Sequence, residues 1–553
     1  RTATGRSAAG ARPRHRHRRT ASVTTAQAAS PDAVVIGSGL GGLSAAAMLS
    51  YYGKRALVLE SHYAVGGAAH GFERKDKDGN VYKFETGPSF FAGLSETGGL
   101  NPLPGMLGVL GVPPLEVVSY DPLGAFHVKS GEPPLLRHAA FDLWLNQVQR
   151  FSPAAAEQVR ASIPKLREMH TSLRGLPVAA LRGDLWAAPI IAGRYLTPLA
   201  ALGPYAALVN GPTSKLIEWL GWRDPFLKRL IDLECFLLSG VDAAGTIAAE
   251  FVSVFGESDA LRCSEFPVGG APAMAEALVA GLKKHGGDVR LNAHVEEILI
   301  DGNKRACGVR LKGGEEIRSP LVVSNASVWD TYGKLLPKSA GVAPAKRAEE
   351  LATPACESFM HLHLGIDAKG LDLDAVGGGH HVVVLDEQAP ITQPGNVCMI
   401  SIASVWDPTL APEGHHCVHA YTLEDFEGWS RGEGYAERKE AKLQTLWRAL
   451  ETVIPDVRSR VRLELGATPL SHERWLRRHK GTYGPAIRAD EGKLFPGPGT
   501  PVEGLWRVGD SVAPGIGAPA VVGSGLLCAN TLSSFPQHWQ MLDKYEELAA
   551  ANN

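Results

Sequence analysis

Residues 33–60, AVVIGSGLGGLSAAAMLSYYGKRALVLE, constrain the fold of this chain more than any other stretch. An apolar run, Ala33–Ile36, leads directly into a G-x-G-x-x-G motif at 37–42 and then into small residues that suit a closely packed helix. A second apolar run, Ala56–Leu59, ends in the acid Glu60. Strand, glycine turn, helix, strand and terminal acid in this order predict a βαβ unit that binds a dinucleotide.

Each residue of the motif has a physical role in such a unit. Gly37 allows the tight turn after the strand, Gly39 lets the backbone approach a pyrophosphate, and Gly42 lets the helix pack closely on the sheet. Ser38 belongs to the same loop, which presents phosphate to the positive N-terminus of the helix. Glu60 follows the last glycine by 18 residues, and a carboxylate there accepts hydrogen bonds from ribose hydroxyls and repels a 2′-phosphate. A glycine-rich turn in an ordinary α/β domain is the alternative, which the glycines alone would not exclude.

Composition sets the scale of the protein. With 553 residues, of which 44% are hydrophobic, the chain can bury a large core and form two or more domains. The formal charge is −2, but residues 1–30 hold seven arginines and no acid, so the rest of the chain carries −9. That part has no basic excess that would favour nucleic acid. The seven cysteines are dispersed without a C-x-x-C pair, as in proteins that keep their thiols reduced.

Residues 1–30 are rich in Arg, Ser, Thr and Ala and contain no apolar core. This composition predicts an organelle transit peptide, for a plastid or a mitochondrion, and not a secretory signal. A disordered basic arm that binds anionic partners is the alternative. No stretch of 18 or more residues is continuously apolar, so a transmembrane helix is not expected.

A second cofactor-type segment lies far downstream. Residues 267–270, Pro-Val-Gly-Gly, open a predicted amphipathic helix, and an apolar strand at 321–323 ends next to Asn325. Between them, alternating residues predict the short strands of a β-meander at 289–291, 295–300 and 308–311. This order resembles the middle of two-domain flavoproteins. The resemblance implies that the backbone of Val295 holds an adenine and that the strand ending near Asn325 returns the chain to the cofactor sheet.

A third segment, residues 504–530, combines a strand ending in Gly509-Asp510, a glycine-rich loop and a small-residue helix. This arrangement predicts that Asp510 and the amides around Gly517 and Gly523 face one anionic ligand. For Asp510 alone, the alternative is a helix N-cap. In flavoproteins of this build the matching aspartate binds a ribitol hydroxyl.

Three distant segments that converge on one ligand predict the fold class, an α/β two-domain FAD-dependent oxidoreductase. The discontinuous Rossmann-like FAD domain is predicted at 31–120, 263–335 and 491–540. A mixed α+β substrate domain is predicted at 121–262 and 336–490, with a C-terminal tail at 541–553.

Within the substrate domain, residues 185–210 are apolar but interrupted by one arginine and three prolines. The prolines exclude one continuous helix. Two interpretations remain open, a short amphipathic element that enters a lipid surface and a buried wall of a substrate tunnel. The aromatic residues that would anchor it at a lipid surface are Trp186, Tyr195, Tyr205, Trp219 and Trp222.

Longer motifs carry a more specific resemblance. DLECF at 232–236, DPTLAPEGHH at 407–416 and GTYGP at 481–485 resemble the family of carotenoid isomerases (prolycopene isomerases) and bacterial-type phytoene desaturases. The resemblance extends from Asp32 to about Ser534. It implies an FAD enzyme that acts on a carotenoid or another long isoprenoid, in plastids and in peripheral contact with a membrane.

The same resemblance places the turn of Gly66, Gly67 and Ala68 after the ribose acid, and Gly87 in the segment that approaches the flavin ring. The residues around the ring differ from the family pattern at 68–70, 85–91 and 516–518. Three functions therefore stay open: a cis–trans isomerase that uses reduced flavin, a desaturase or saturase of another plastid isoprenoid, and a non-catalytic flavin- or pigment-binding subunit of a membrane complex.

Glu85 is the predicted catalytic residue, because it precedes the loop expected beside the flavin ring. A buried carboxyl there could have a raised pKa and exchange a proton with a carbocation-like polyene. A surface or helix-capping glutamate is the alternative. Glu234 and Tyr483 are weaker candidates.

Several histidines lie close in sequence, among them His361 and His363, which share one face of a predicted strand. Metal ligation is one interpretation of such a pair, and support of the fold is the other. We expect no metal, because the resembling family needs none.

Overall fold

The computed structural model describes residues 30–552. The predicted transit peptide or basic arm lies outside these residues, apart from Ser30. The strands are β1 (Ala33–Ile36), β2 (Ala56–Leu59), β3 (Gly71–Lys75), β4 (Val81–Glu85), β5 (Val117–Tyr120), β6 (Gly124–His127), β7 (Leu135–Arg137), β8 (Ser264–Pro267), β9 (Asp288–Arg290), β10 (Val295–Ile300), β11 (Ala306–Leu311), β12 (Glu316–Arg318), β13 (Val322–Ser324), β14 (Ser358–Asp367), β15 (His380–Val384), β16 (Val397–Ser401), β17 (His415–Glu424), β18 (Val461–Ala467) and β19 (Leu505–Arg507).

The helices are α1 (Leu40–Tyr51), α2 (Pro102–Leu110), α3 (Phe141–Phe151), α4 (Pro153–Arg174), α5 (Ala187–Arg194), α6 (Leu196–Leu202), α7 (Ala206–Val209), α8 (Thr213–Trp219), α9 (Pro225–Ser239), α10 (Ala248–Leu261), α11 (Pro272–Lys284), α12 (Val328–Asp330), α13 (Pro344–Leu351), α14 (Tyr435–Val453), α15 (Val457–Arg460), α16 (Pro469–Leu476), α17 (Ala518–Leu532) and α18 (Phe535–Asn552).

A five-stranded parallel sheet in the order β19-β13-β1-β2-β9 forms the first layer system. Its strands come from all three predicted cofactor segments. Alternate residues of β1 point to opposite faces, as the period of a strand requires: Val35 packs toward α1, α11 and α17, whereas Val34 packs toward β10–β12 and α12. Both faces of the sheet are therefore covered, which is typical of parallel sheets.

Close packing of α1 explains its small residues. A Cβ added at Gly525 of α17 would lie 2.6 Å from the Gly41 carbonyl oxygen and from Ser44 Cβ. The two helices thus approach at backbone distance, which glycine and alanine allow. This contact fixes the first turns of α1 against the middle of α17.

The predicted strand at 289–291 exists, but it pairs with a different strand than the sequence predicted. The meander was expected to begin at 289–291, but β9 pairs in parallel with β2, with Leu57 opposite Asp288 and Val58 opposite Val289. The antiparallel sheet contains β10, β11 and β12. The short β9 follows α11 as the last strand of a βαβ crossover, and sequence periodicity does not distinguish that position from a meander.

The second layer system is a seven-stranded sheet in the order β18-β14-β17-β16-β15-β6-β7. One face packs on α14 through Leu446 and Trp447, and the other packs through Phe359 and Tyr421 on a helical group that includes α4, α9 and α10. The two sheets confirm the predicted two-domain α/β flavoprotein fold class.

Residues 185–210 form α5, α6 and α7 in place of one helix, as the prolines predict. The aromatic residues expected at a lipid surface divide into two groups. Trp186 and Trp219 are 51% and 44% exposed, but Tyr195 and Trp222 are buried, so their assignment as surface anchors is wrong. The Trp222 indole N–H donates a hydrogen bond to Ser162 Oγ at 2.8 Å inside the core. A buried indole usually has such a partner.

The C-terminal residues 541–552 continue α18, and Met541, Leu542 and Tyr545 are buried in the core. A helix that closes the core thus replaces the predicted tail. Among the helices of residues 30–552, none is both long and apolar enough to cross a membrane.

Candidate functional site

A cavity of about 1490 Å³ lies between the two sheets. Its lining includes Gly37 at the end of β1 and Phe359, Met399 and Tyr421 of the seven-stranded sheet. Sites for a single small ligand usually measure about 300–1,000 Å³. The cavity is therefore large enough for a cofactor and a second ligand together.

The glycines of the first motif form a cradle that side chains would fill. A Cβ at Gly42 would lie 2.3 Å from the Gly37 carbonyl oxygen, and one at Gly39 would lie 2.8 Å from Asn325 Nδ2. A Cβ at Gly67 would lie 3.0 Å from Gly39 Cα, and Gly67 has a φ of +58°. The backbone is thus bare at the N-terminus of α1, where free N–H groups attract phosphate.

Asn325 joins the three segments. Its backbone N–H donates to the Ile36 carbonyl oxygen at 2.9 Å, which fixes it at the end of β1. A Cβ at Gly509 would lie 2.6 Å from Asn325 Oδ1, so that side chain fills the space between Gly39 and Gly509. The convergence that the sequence predicted is therefore a direct contact.

Glu60 lies at the end of β2 and lines the cavity. One carboxylate oxygen accepts from the Ser38 amide at 2.8 Å and hydroxyl at 2.7 Å. The other accepts from the Ser61 hydroxyl at 3.2 Å and the His62 amide at 2.7 Å. Two of these four donors are hydroxyls, which can rotate away. A ribose with two hydroxyls can therefore take their place.

The fifteen residues predicted to bind the cofactor do not all reach the cavity. Those that line it are Gly37, Gly39, Glu60, Gly66, Gly67, Ala68, Gly87, Val295, Asn325, Gly509, Asp510 and Gly517. Three others, Ser38, Gly42 and Gly523, lie behind its wall: Ser38 holds Glu60, and a Cβ at Gly523 would lie 2.7 Å from Val178 Cγ1. These three support the cradle without facing the space a ligand would take.

Sequence reasoning missed a group of arginines. Arg474, Arg477 and Arg478 line the cavity, and Arg478 forms an ion pair with Asp510. Three positive charges in the cavity wall favour an anionic ligand. The basic run RWLRRHK at 474–480 was the available signal. Cradle, acid and arginines together fit a flavin dinucleotide.

The sequence predicted Glu85 beside the flavin ring, but its side chain lies outside the cavity wall. Its carboxylate accepts from the Ala271 amide at 2.5 Å, at the start of α11, and Glu85 is absent from the cavity wall. Burial raises the pKa of this carboxyl to about 7, although the hydrogen bond from Ala271 opposes the shift. The geometry is that of the helix-capping alternative.

Glu250 is a second carboxyl that sequence reasoning missed. It lies in the first turn of α10 and lines the cavity. Burial raises its pKa to about 7. Within residues 30–552 its carboxylate forms no hydrogen bond and no ion pair. An acid within the apolar run AAEFVSVF at 248–255 was the available signal.

Glu234, a weaker candidate, also lines the cavity but is engaged. Arg137 Nε donates to Glu234 Oε1 at 2.5 Å, and the two side chains are 3% and 6% exposed. The guanidinium lies over the Phe255 ring at 4.3 Å. Burial raises the pKa of Glu234, and Arg137 lowers it. This pair is a fixed part of the wall.

The histidines form a stack of rings. His363 and His419 are parallel at 4.2 Å, and His361 contacts His419 at 3.0 Å and His472 at 3.3 Å. Burial lowers the pKa of His363 to about 4 and that of His472 to about 3. Within residues 30–552 no group of three or more His, Cys, Asp or Glu side chains is arranged to hold a metal ion. His361 and His472 contribute neutral rings to the cavity wall.

The chain was compared with known proteins. The sequence profile of the flavin-containing amine oxidoreductase family matches residues 40–533. The chloroplastic prolycopene isomerase of Arabidopsis thaliana is 31% identical over 510 residues, which cover 91% of this chain and 82% of that protein. The all-trans-retinol 13,14-reductase of Danio rerio is 24% identical over 562 residues, which cover 94% and 89%.

A solved structure supports the fold alone. An oxidoreductase from Methanosarcina mazei superposes with a TM-score of 0.59 at 19% identity, over 89% of this chain and 98% of that one. The profile match and the isomerase relative carry the assignment of family. This chain belongs to the flavin-containing amine oxidoreductases and, within them, is similar to the carotenoid (prolycopene) isomerases.

Proposed function

We propose that this protein is an FAD-dependent isomerase of a carotenoid or a similar long polyene, located in plastids. Reduced flavin would support the cis–trans conversion without net redox change. The cavity carries the proposal, because it continues from the dinucleotide cradle into an apolar space too large for the cofactor alone. The chloroplastic isomerase relative supports both the substrate class and the location.

FAD is the dinucleotide that the cradle favours. Glu60 would take the adenosine ribose and repel a 2′-phosphate. Val295, Asp510 and Gly517 line the same cavity. Val295 would hold the adenine, and Asp510 and Gly517 would hold the ribitol and the ring. When bound, the flavin supplies redox chemistry, and the protein supplies binding and orientation.

The rest of the cavity suits a hydrocarbon. Apolar side chains that line it include Leu173, Leu176, Val178, Phe236, Leu237, Met399 and Leu423. A polyene offers little to hydrogen-bond, so its binding free energy must come from buried carbon surface, at roughly 25 cal/mol per Å². Such a wall excludes water and holds an extended chain beside the cradle.

The test of this function is product analysis. The protein reconstituted with FAD is incubated anaerobically with a cis-polyene, with and without reductant, and products are separated by chromatography and weighed by mass spectrometry. We expect a trans product of unchanged mass that forms only when the flavin is reduced. Loss or gain of two hydrogens would replace isomerisation with the desaturase or saturase alternative. No turnover, together with co-purification in a large complex, would favour the non-catalytic subunit.

An exposed apolar patch supports peripheral membrane contact. Five apolar residues between positions 181 and 199 are exposed, and we name them the entrance patch: Leu181, Leu185, Trp186, Leu196 and Leu199 are 38%, 94%, 51%, 61% and 42% exposed. Leu181 belongs also to the cavity wall. Exposed apolar clusters of this kind mark membrane or partner contacts. A polyene could then pass from lipid into the cavity near Leu181 without entering water.

Replacing Leu185 and Leu199 together by glutamate should weaken binding to lipid vesicles. Each leucine that enters the lipid contributes about 1.5–3 kcal/mol at most, so the double variant should lose roughly tenfold or more in vesicle affinity, measured by co-sedimentation. Leu351→Glu is the control, because Leu351 is 39% exposed on α13. Equal binding of the double variant and the wild type would contradict the membrane role of the patch.

A further inference from the structure

The cavity wall contains several acids, and a partner side chain or backbone group holds most of them. Glu60 is held by Ser38 and His62, Glu234 by Arg137, Glu257 by His170 at 2.9 Å, and Asp510 by Arg478. In the described part of the chain, Glu250 has no such partner. A buried carboxylate without a partner is costly, so such a group is kept neutral or serves a function.

The position of Glu250 within its helix sharpens this contrast. An acid in the first turn normally accepts hydrogen bonds from the free N–H groups of that turn. Glu250 makes none of these bonds and lies in the cavity wall with the apolar Ile247 and Val254. Its partial accessibility is therefore access to the cavity.

Glu250 also lies near the end of the cavity expected to hold the flavin ring. Burial raises the pKa of Tyr483, and the negative charges of Glu250 and Asp510 raise it further, so both carboxylates lie near that phenol. Asp510 belongs to the cradle, and a Cβ at Gly484 would lie 3.5 Å from Asp510 Oδ2. Tyr483 thus links Glu250 to the cofactor end of the cavity.

We propose that Glu250 is the acid that protonates the bound polyene and then, as carboxylate, removes the proton after the bond has rotated. The inference rests on the proposed isomerase function. It assigns to Glu250 the role that sequence position had suggested for Glu85.

The step balances without an oxidant or reductant. The carboxyl proton forms a C–H bond with the electron pair of one C=C bond, and the O–H pair stays on the carboxylate. The positive charge spreads along the remaining conjugated bonds, which lowers the bond order of a neighbouring double bond and lets it rotate. The carboxylate then takes a proton from the same carbon, and the C–H pair restores the double bond. Substrate and product have equal mass.

The surroundings of Glu250 suit both halves of this step. Because burial raises its pKa to about 7, the carboxyl is largely protonated at or below neutral pH and can act as acid. The rings of Phe236 and Tyr483 line the same cavity and would stabilise a delocalised cation through their π faces. The carboxylate that remains is the counter-ion.

The other titratable groups that face Glu250 do not ionise near neutral pH. Cys235 of α9 and Tyr483 both have pKa values raised first by burial and then by the charge of Glu250. His70 and His472, farther along the wall, have pKa values lowered by burial. Cys235, Tyr483 and His472 therefore keep one protonation state between pH 6 and 9, and a change of rate that E250Q abolishes and E85Q keeps would report Glu250.

The experiment measures the first-order rate of cis–trans conversion from pH 6 to 9 in FAD-reconstituted wild type, E250Q and E85Q. We expect the wild-type rate to fall about tenfold per pH unit above roughly pH 7, since the acid form is lost. E250Q should lose roughly 100-fold or more and show no pH dependence in its residual rate. Flavin content and polyene retention, measured on the same preparations, should equal those of wild type.

E85Q is the matched comparison, because Glu85 is buried and has a pKa of about 7 but lies outside the cavity wall. The glutamine oxygen can still accept the hydrogen bond from Ala271, so E85Q should keep both the rate and the pH profile. A wild-type rate that is flat from pH 6 to 9, or an E250Q variant as active as wild type, would overturn the role of Glu250 and leave the isomerase function standing. A pH dependence of the rate that is lost in E85Q and kept in E250Q would also overturn the role of Glu250. A wild type that isomerises no polyene would remove the proposed function, and the inference with it.

Discussion

Gly42→Ala is expected to abolish flavin retention. The added Cβ would lie 2.3 Å from the Gly37 carbonyl oxygen and 3.0 Å from Asn325 Cβ. Neither neighbour is the end of a flexible side chain, because Gly37 is backbone at the turn after β1 and Asn325 is held by the Ile36 carbonyl oxygen. Relief of the clash therefore displaces the turn, α1 or Asn325, and each of these belongs to the cradle.

We expect at least a tenfold loss of bound flavin, read from the ratio of flavin to protein absorbance, and a loss of about 1–3 kcal/mol in the free energy of unfolding from overpacking. Gly302→Ala is the matched control, because a Cβ at Gly302 meets no atom within 4 Å and no positive φ opposes it. Normal flavin content in the Gly42→Ala variant would show that the helix and turn need no close contact at this point.

Arg137→Met is expected to destabilise the protein by about 3–5 kcal/mol, the range for a broken buried ion pair. Glu234 would lose the donor at 2.5 Å and keep its buried position. The guanidinium also lies over Phe255 at 4.3 Å, and methionine replaces only part of that packing. The measurement is the urea midpoint at constant slope.

The loss of stability in Arg137→Met should be smaller at low pH. Burial raises the pKa of Glu234, and Arg137 lowers it, so removal of Arg137 raises it further. The difference from wild type should therefore shrink as the pH is lowered, because a protonated Glu234 carries no unpaired charge. Replacing Glu234 by leucine in the Arg137→Met variant should recover most of the stability, since both buried charges are then absent. Equal stability of wild type and Arg137→Met would contradict this account of the pair.

The cradle could be predicted from the sequence because its signals are local. Gly37, Gly39 and Glu60 occupy fixed places in a βαβ unit, and the segments around Asn325 and Asp510 follow strands of the same sheet. Since the carboxyl ends of parallel strands meet at one edge, their order along the chain is enough to bring them together.

The carboxyl that we propose as the acid could not be predicted in the same way. Glu85 is near the cofactor in sequence, but its side chain turns toward Ala271 at the start of α11, a contact between residues 186 positions apart. Glu250 lies on α10, far from the cofactor motifs in sequence, and lines the same cavity. Which acid faces the cavity is decided by tertiary contacts that neither periodicity nor motif records.

The exposure of the aromatic residues also could not be predicted from the sequence. Trp186 and Trp222 received the same interpretation from sequence, yet Trp186 is 51% exposed and Trp222 is fully buried. The partner that separates them is Ser162 on α4, which accepts the hydrogen bond of Trp222 at 2.8 Å. A polar group far away in the chain thus decides between surface and core.

The central claim is that the three segments form one site for FAD beside a site for a polyene. The most direct test is to purify the protein from its native source, extract its ligands and identify them by absorbance and mass spectrometry. The account predicts one FAD per chain, lost in the Gly42→Ala variant, together with a bound long polyene. A nicotinamide dinucleotide, or a protein that holds neither flavin nor polyene, would contradict it.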